Sequence, residues 1–375
     1  MDIPYWLDEG HEPLPQRSLA GPPDAVVVGG GITGCSCALT LARAGMRVRL
    51  HEARAVASGA SGRNGGFALR GGAMAYHRAR EWLGPERARE YWRWTESHLD
   101  RIEAVSGDAF RRLGSLRLAA DEELDELREE FEALLEDGFE GEWTDELHPR
   151  LEGRFTAAIV HPRDGVLHPA RFVRKLAWAA AEAGVEIREH SRVESLEELH
   201  AEAVVVATDG YPSGLLGELE GLIVPTRAQM LATEPLPELL YERPHYGRQG
   251  FDYWHQRADG SLLVGGFRDI SLESEFTDEE RTTEPIQGEL ERFAEDLAGT
   301  RPRITHRWAG IFGLVLDFLP VVGRVPGKDS LWVAGGYSGH GNVLGFACGE
   351  LVAEAILGRP GWQLELFDPA RLVLA

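Results

Sequence analysis

The first strong apolar pattern in the chain is the unbroken run Ala25 to Val28, AVVV, which suits a parallel strand buried on both faces. It leads into GGGITG and then into an apolar-periodic segment that ends near Gly45, a usual residue just past a helix C-terminus. A second short strand, VRLHE, follows. The spacing therefore predicts strand, glycine turn, helix, strand. A related order returns further on: PARFVRKLAWAAAEAG predicts a helix closed by Gly184, VEIREHSRV contains a strand, and AVVVAT is another buried strand. A third piece near the C-terminus has SLWVAGG as a strand and Asn342 to Leu357 as an apolar helix, ended by Gly358 and Pro360.

Between these pieces the pattern changes. Glu86 to Val105 and Asp121 to Asp137 read as amphipathic, strongly acidic helices, with a solvated face as their simplest role. Leu222 to Arg268 alternates like antiparallel strands and turns at ADGS. The chain is thus expected to hold a discontinuous nucleotide domain over 1–75, 147–215 and 305–375. A substrate domain is expected over 76–146 and 216–304.

Composition narrows the partners. A single core stops growing at about 250 to 300 residues, so 375 residues leave room for two domains and an enclosed ligand. The net charge of -22 argues against nucleic acid and against anionic membrane surfaces, and is compatible with a cationic substrate. Cys35 and Cys37 are two apart in a predicted helix and Cys348 stands alone, so neither a disulfide framework nor a metal site is expected. The N-terminal stretch lacks the basic and apolar regions of a signal peptide, and no apolar run reaches the ~18 residues of a membrane span. A soluble, cytoplasmic protein is the expectation.

The glycine turn carries the first chemistry. Gly29, Gly31 and Gly34 form GxGxxG between a buried strand and a helix that begins with Ile32 and Thr33, the context in which a helix N-terminus meets a pyrophosphate. Glu52, at the end of the second strand, is placed to accept hydrogen bonds from ribose hydroxyls and disfavours a 2′-phosphate. NAD and FAD share this fingerprint. The next stretch, GASGRNGG, bears on the choice, because a glycine-rich loop with Ser58, Ser61, Arg63 and Asn64 can run its backbone along a flat ring and donate several N–H groups. The chain has only two asparagines, Asn64 and Asn342, and the second also sits among glycines, in GGYSGHGNVLG.

In order, VVVGGGITG, HEA, SGASGRNGG, DGVLHPARFVRKL, VVVATDGY, WAGIFGLVLDFLPVVGR and VAGGYSGHGNVLG resemble the D-amino-acid-oxidase-type flavoenzyme superfamily. The resemblance spans nearly the whole chain. It is greatest to the γ-glutamylputrescine oxidase-like branch, near the glycine and sarcosine oxidases, which shares the YWLD leader and the GASGRNGG loop. It implies a two-domain α/β (α+β) protein: a Rossmann-like FAD-binding domain with an inserted substrate domain built on a mixed antiparallel sheet. It also places Gly29, Gly31, Ile32, Thr33 and Gly34 at the pyrophosphate and Glu52 at the adenosine ribose. Ser58, Ser61, Gly62, Arg63, Asn64, Gly65 and Gly66 would follow the pyrophosphate, ribityl chain and flavin. Val193 would touch adenine through its backbone, and Thr208 and Gly210 would line the ribose. Gly336, Ser338, Gly339, His340, Gly341 and Asn342 would pass the N1 and O2 edge of the flavin.

The activity implied is oxidation of a C–N bond by hydride transfer to flavin N5, giving an imine that water hydrolyses. Such chemistry needs a neutral amine held at the right angle, so positioning groups matter more than a base. His340 and, from the strand FDYWHQ, Tyr253 or His255 are the candidate catalytic residues, with Trp254 on the opposite face of the strand. Phe312, Arg227, Arg268, Trp254 and Tyr337 are the candidate substrate contacts. Phe312 stands where related amino-acid oxidases often carry an Arg, which favours an amine, of polyamine or γ-glutamyl-polyamine type, over an amino acid. Arg227 and Arg268 are the cations that would compensate if the alternative holds, an oxidase or dehydrogenase of a small amino acid such as glycine, sarcosine, proline or a D-amino acid. The FAD is expected to be non-covalent. Oxygen or another electron acceptor completes the cycle; no lysine lies near LLVGGF, so slow oxygen use is expected. An NAD-dependent dehydrogenase and a flavin-containing interaction protein are the remaining alternatives.

Overall fold

A computed structural model describes residues 3–373, and they divide into two compact units. One comprises 9–64, 168–226 and 311–373, the other 3–8, 65–167 and 227–310. The first is built on a six-stranded sheet in the order Val321–Arg324, Leu331–Gly335, Ala203–Val206, Ala25–Val28, Val48–His51, Glu186–Arg188. The strands run parallel except for the edge strand Val321–Arg324. Ala25–Val28 and Ala203–Val206 are buried along their whole length, as strands covered on both faces must be. One side of the sheet is sealed by a core of Val26, Val28, Val204, Val206 and Val333 with Leu215, Leu219 and Ile223. The helix Ile32–Arg43 packs against the helices Pro169–Glu182 and Gly341–Ile356. This is the Rossmann-like arrangement that the sequence predicts.

The other unit carries an eight-stranded mixed sheet. Its order is Ile304–Leu314, Val224–Pro235, Ser261–Gly266, Asp252–Gln256, His245–Gly247, Ser115–Ala119, Ala157–His161, Glu142–Thr144. The first two strands of this order contain the points at which the chain passes between the units, into this one at Arg227 and out of it after Gly310. His245–Gly247 runs parallel to Ser115–Ala119, and the hairpin Asp252–Gln256 to Ser261–Gly266 is antiparallel, with its turn at ADGS. The helix Glu284–Ala298 lays Ile286, Leu290, Phe293 and Leu297 on a core that includes Trp254, Leu262 and Val264. Both acidic helices are present, as Pro85–Ser106 and Leu124–Glu136.

The unit boundaries differ from those the sequence suggests. Residues 3–8, 65–75, 147–167 and 305–310 cluster with the eight-stranded unit and 216–226 with the six-stranded one. The leader is drawn in by Trp6, which is 1 % exposed, a side chain too large to leave in water when an apolar wall is available.

Candidate active site

The six-stranded unit holds a phosphate-type turn. Gly29 has φ +112 and a Cβ there would lie 2.5 Å from the Ala207 carbonyl oxygen; a Cβ on Gly34 would lie 1.9 Å from the Gly29 carbonyl oxygen. Only hydrogen fits either place. The helix Ile32–Arg43 starts from Gly31 with no side-chain cap. The Ile32 N–H donates to Ser61 Oγ at 3.0 Å, which brings the glycine-rich loop onto the helix N-terminus. Thr33 Oγ1 and the Tyr337 hydroxyl share a hydrogen bond of 2.9 Å.

Glu52 ends the strand Val48–His51 with both oxygens oriented. Oε2 accepts the Gly30 N–H at 2.7 Å and Oε1 accepts the Arg54 N–H at 2.8 Å. Each oxygen keeps a further lone pair, so the carboxylate is fixed in place and still able to receive hydroxyls. Its backbone is held as well, by the Arg188 carbonyl and the Ser191 N–H. Val193 turns its side chain into the sheet core and is 7 % exposed, which leaves its backbone as the polar surface. A glycine cradle, a helix N-terminus and an oriented carboxylate together fit the adenosine pyrophosphate of a dinucleotide.

Two loops continue the cradle. In the first, Arg63 Nε donates to the Ser58 carbonyl at 2.8 Å and Asn64 Nδ2 to the Ala60 carbonyl at 3.1 Å, after the turn Ala60–Gly62. In the second, the Ser338 N–H donates to the Gly313 carbonyl at 2.9 Å, and Ser338 Oγ accepts the Val315 N–H at 3.2 Å. His340 lies just before the helix Gly341–Ile356 and is half-buried. The two loops meet through Asn64 and Asn342.

Asp209, which sequence reasoning passes over between Thr208 and Gly210, joins three segments. Its Oδ2 accepts the Gly313 N–H at 3.0 Å and its Oδ1 the Gly336 N–H at 2.7 Å. Burial raises its carboxyl above the usual range, and the N–H groups of Gly313 and Gly336 pull it back down. The left-handed backbone at φ 51 is tolerated because Asp is one of the few residues that adopts it. An Asp-Gly dipeptide after a buried strand is the only trace of this in the sequence.

In the eight-stranded unit, Tyr253 and His255 do share a face: the edge of Phe67 meets both rings, at 5.8 and 5.7 Å. Trp254 faces the other way, into the core against His245 and Phe293, and is wholly buried. Period-2 alternation gives it to the packed side of the strand. Tyr337 is likewise 4 % exposed, and its hydroxyl, bonded to Thr33 Oγ1, ties the loop to the first helix.

His255 is committed to the chain. Its Nε2 lies 3.0 Å from the Gly65 carbonyl oxygen, which only accepts, so Nε2 carries the proton; Trp6 stacks parallel to the ring at 6.1 Å. Burial lowers its pKa to about 4, and the ring is neutral at physiological pH. Burial also pushes the Tyr253 phenol up to about 12, so it too stays protonated. A His whose pKa falls from about 6.5 unfolded to about 4 folded favours the native state above pH 6.5 and loses that contribution as pH drops to 4. Thermal melts should accordingly show lower stability from pH 6.5 to 4, and His255→Gln should flatten that decline. An unchanged slope would show that His255 is protonated in the fold.

The two candidate cations differ. Arg227 is 2 % exposed and bound bidentately by the wholly buried Glu275, Nε to Oε2 at 2.9 Å and Nη2 to Oε1 at 2.7 Å, with the Ser274 carbonyl at 3.1 Å. Its charge is answered in place by Glu275, a partner that sequence does not reveal. Arg268 lies half-buried with its guanidinium over the Phe251 ring at 4.3 Å. Phe312 is half-buried in the six-stranded unit.

A family model described as FAD dependent oxidoreductase matches residues 24–355. The probable oxidoreductase OrdL of Rhizobium meliloti (strain 1021) is 30 % identical over 93 % of this chain and 86 % of its own length. Gamma-glutamylputrescine oxidoreductase of Escherichia coli (strain K12) is 29 % identical over 92 % of this chain and 85 % of its own. Among solved structures, glycine oxidase from Geobacillus kaustophilus aligns with a TM-score of 0.75 at 22 % identity, covering 93 % of this chain and 99 % of that one. L-proline dehydrogenase from P. horikoshii aligns with a TM-score of 0.75 at 23 % identity, over 94 % and 98 %. These last two show the fold. No helix among the described residues is long and apolar enough to cross a membrane.

Proposed function

From the premise that the chain belongs to the DAO family of FAD-dependent oxidoreductases, which act on amine or amino-acid C–N bonds, we propose that its substrate is an amine of polyamine or γ-glutamyl-polyamine type. FAD, when bound, supplies the two-electron acceptor for hydride removal from the carbon next to nitrogen. The chain supplies placement. Glu52 receives ribose hydroxyls, the Gly29–Gly34 turn and the start of the first helix face the pyrophosphate, and the loops at Ser58–Asn64 and Gly336–Asn342 hold the rest of the cofactor. Tyr253 and His255, both neutral at physiological pH, orient and do not act as bases.

The observation that carries the substrate reading is the buried Arg227–Glu275 pair. A small amino acid brings a carboxylate that costs several kcal/mol to bury without a cation. Arg227 is already neutralised, Phe312 is apolar, and Arg268 is the one candidate cation left from the sequence reading. The net charge of -22 favours a cationic substrate, modestly at physiological salt. The similarity to gamma-glutamylputrescine oxidoreductase points the same way.

The test compares kcat/KM, with excess acceptor, for putrescine-type and γ-glutamyl amines against sarcosine, glycine, proline and D-alanine. The amines should lead by about tenfold or more, the value of one good charge-assisted contact. An amino acid leading by that margin would reverse the reading, and loss of its activity in Arg268→Ala would identify the cation responsible.

A further inference from the structure

The two asparagines, the only ones in the chain, lie 278 positions apart and their carboxamides bind each other. Nδ2 of Asn64 donates to Oδ1 of Asn342 at 3.1 Å, and Nδ2 of Asn342 donates back to Oδ1 of Asn64 at 3.0 Å. A carboxamide carries donor and acceptor side by side, so two of them head to head close a ring of two N–H···O bonds. An Asp in either position has no donor for this ring at neutral pH. Asn64 spends its second amide hydrogen on its own loop, 3.1 Å from the Ala60 carbonyl and 3.3 Å from that of Ser61. Asn342 is 9 % exposed and sits in the first turn of the helix Gly341–Ile356. In so shielded a place, each donor or acceptor left without its partner is costly.

The segments joined in this way are rich in glycine. Gly59 and Gly62 lie in one, and Gly336, Gly339 and Gly341 in the other. Glycine has the most backbone freedom to lose, and a ligand that must gather two such loops bears that entropy in its binding constant.

We propose that the reciprocal Asn64–Asn342 pair is a latch that fixes the loop Ser58–Asn64 against the start of the helix Gly341–Ile356, so that FAD meets a cradle already assembled. The two asparagines are positioning residues, acting on the cofactor through the backbones they hold in place. The inference rests on FAD binding and not on the choice of substrate.

The experiment titrates full-length protein stripped of flavin with FAD, following quenching of flavin fluorescence. The variants are Asn64→Ala, Asn342→Ala, the double Ala variant and the double Asp variant, N64D/N342D. Either single Ala change removes the whole ring, so each should raise the FAD Kd by about tenfold, and the double variant should be within about twofold of the singles. The double Asp variant restores the volume but opposes two acceptors, and should bind FAD more weakly than double Ala. A latch is refuted if the single effects multiply in the double variant, if neither single changes Kd, or if double Asp outbinds double Ala as a packing role requires. Turnover is not read, so failure here leaves the substrate proposal intact, and failure of that proposal leaves the latch intact.

Discussion

Gly34→Ala should yield protein that purifies colourless. The added Cβ would lie 1.9 Å from the Gly29 carbonyl oxygen, 3.1 Å from its carbon and 3.3 Å from Val27 Cγ1. The obstacle is backbone on one side and a strand side chain on the other, so no flexible tip can swing away. The helix Ile32–Arg43 must lift off the sheet, yet it is packed against the helices Pro169–Glu182 and Gly341–Ile356 and cannot move alone. Overpacking of this kind costs about 3 kcal/mol or more, and because the helix start is the phosphate site, about a hundredfold in FAD affinity goes with it. Absorbance of bound flavin and a thermal melt of the apoprotein measure both. Normal flavin content would mean that helix and strand are less closely apposed than described.

Gly34 is also where the sequence was most informative, and the reason is range. The buried run AVVV, the glycine turn, the helix ended at Gly45 and Glu52 are all set by neighbours a few residues away, so a local pattern identifies each with its role. The hairpin of Tyr253, Trp254 and His255 was legible by halves. Period-2 alternation separates Trp254 from its neighbours, but which face meets the core is decided by Phe293, Tyr241 and Phe155, from distant parts of the chain. Asp209 and the Asn64–Asn342 pair were illegible for the same reason, since their partners are 104, 127 and 278 positions away. The N-terminal leader is held by contacts just as distant in sequence: Trp6 lies against His255 and beneath the Arg257 guanidinium, Tyr5 meets the same guanidinium and His306, and Asp8 pairs with His306.

The largest stability effect should come from Arg227, which the sequence presents as a cation in an alternating strand. Arg227→Ala leaves Glu275, wholly buried, with two neutral donors, the Gln229 amide at 3.1 Å and the Ser274 hydroxyl at 3.4 Å, to answer its charge. Breaking a buried pair from one side costs about 3–5 kcal/mol, and Glu275→Ala should cost as much by stranding the guanidinium. Replacing both with apolar residues of similar volume, Arg227→Met with Glu275→Leu, removes both charges together and should cost far less than either single change. Some loss remains, because the Ser274 and Glu279 carbonyls, at 3.1 and 3.3 Å, lose a donor, while Gln229 keeps Thr283 Oγ1 at 2.8 Å. Urea unfolding gives the three values. The same double variant separates structure from recognition. If Arg227 only holds the fold, kcat/KM for the preferred amine stays within about threefold of the parent, less than the loss of one hydrogen bond to a charged group. A KM that rises tenfold or more in a double variant of parental stability would instead place Arg227 at the substrate and return a small amino acid to first consideration.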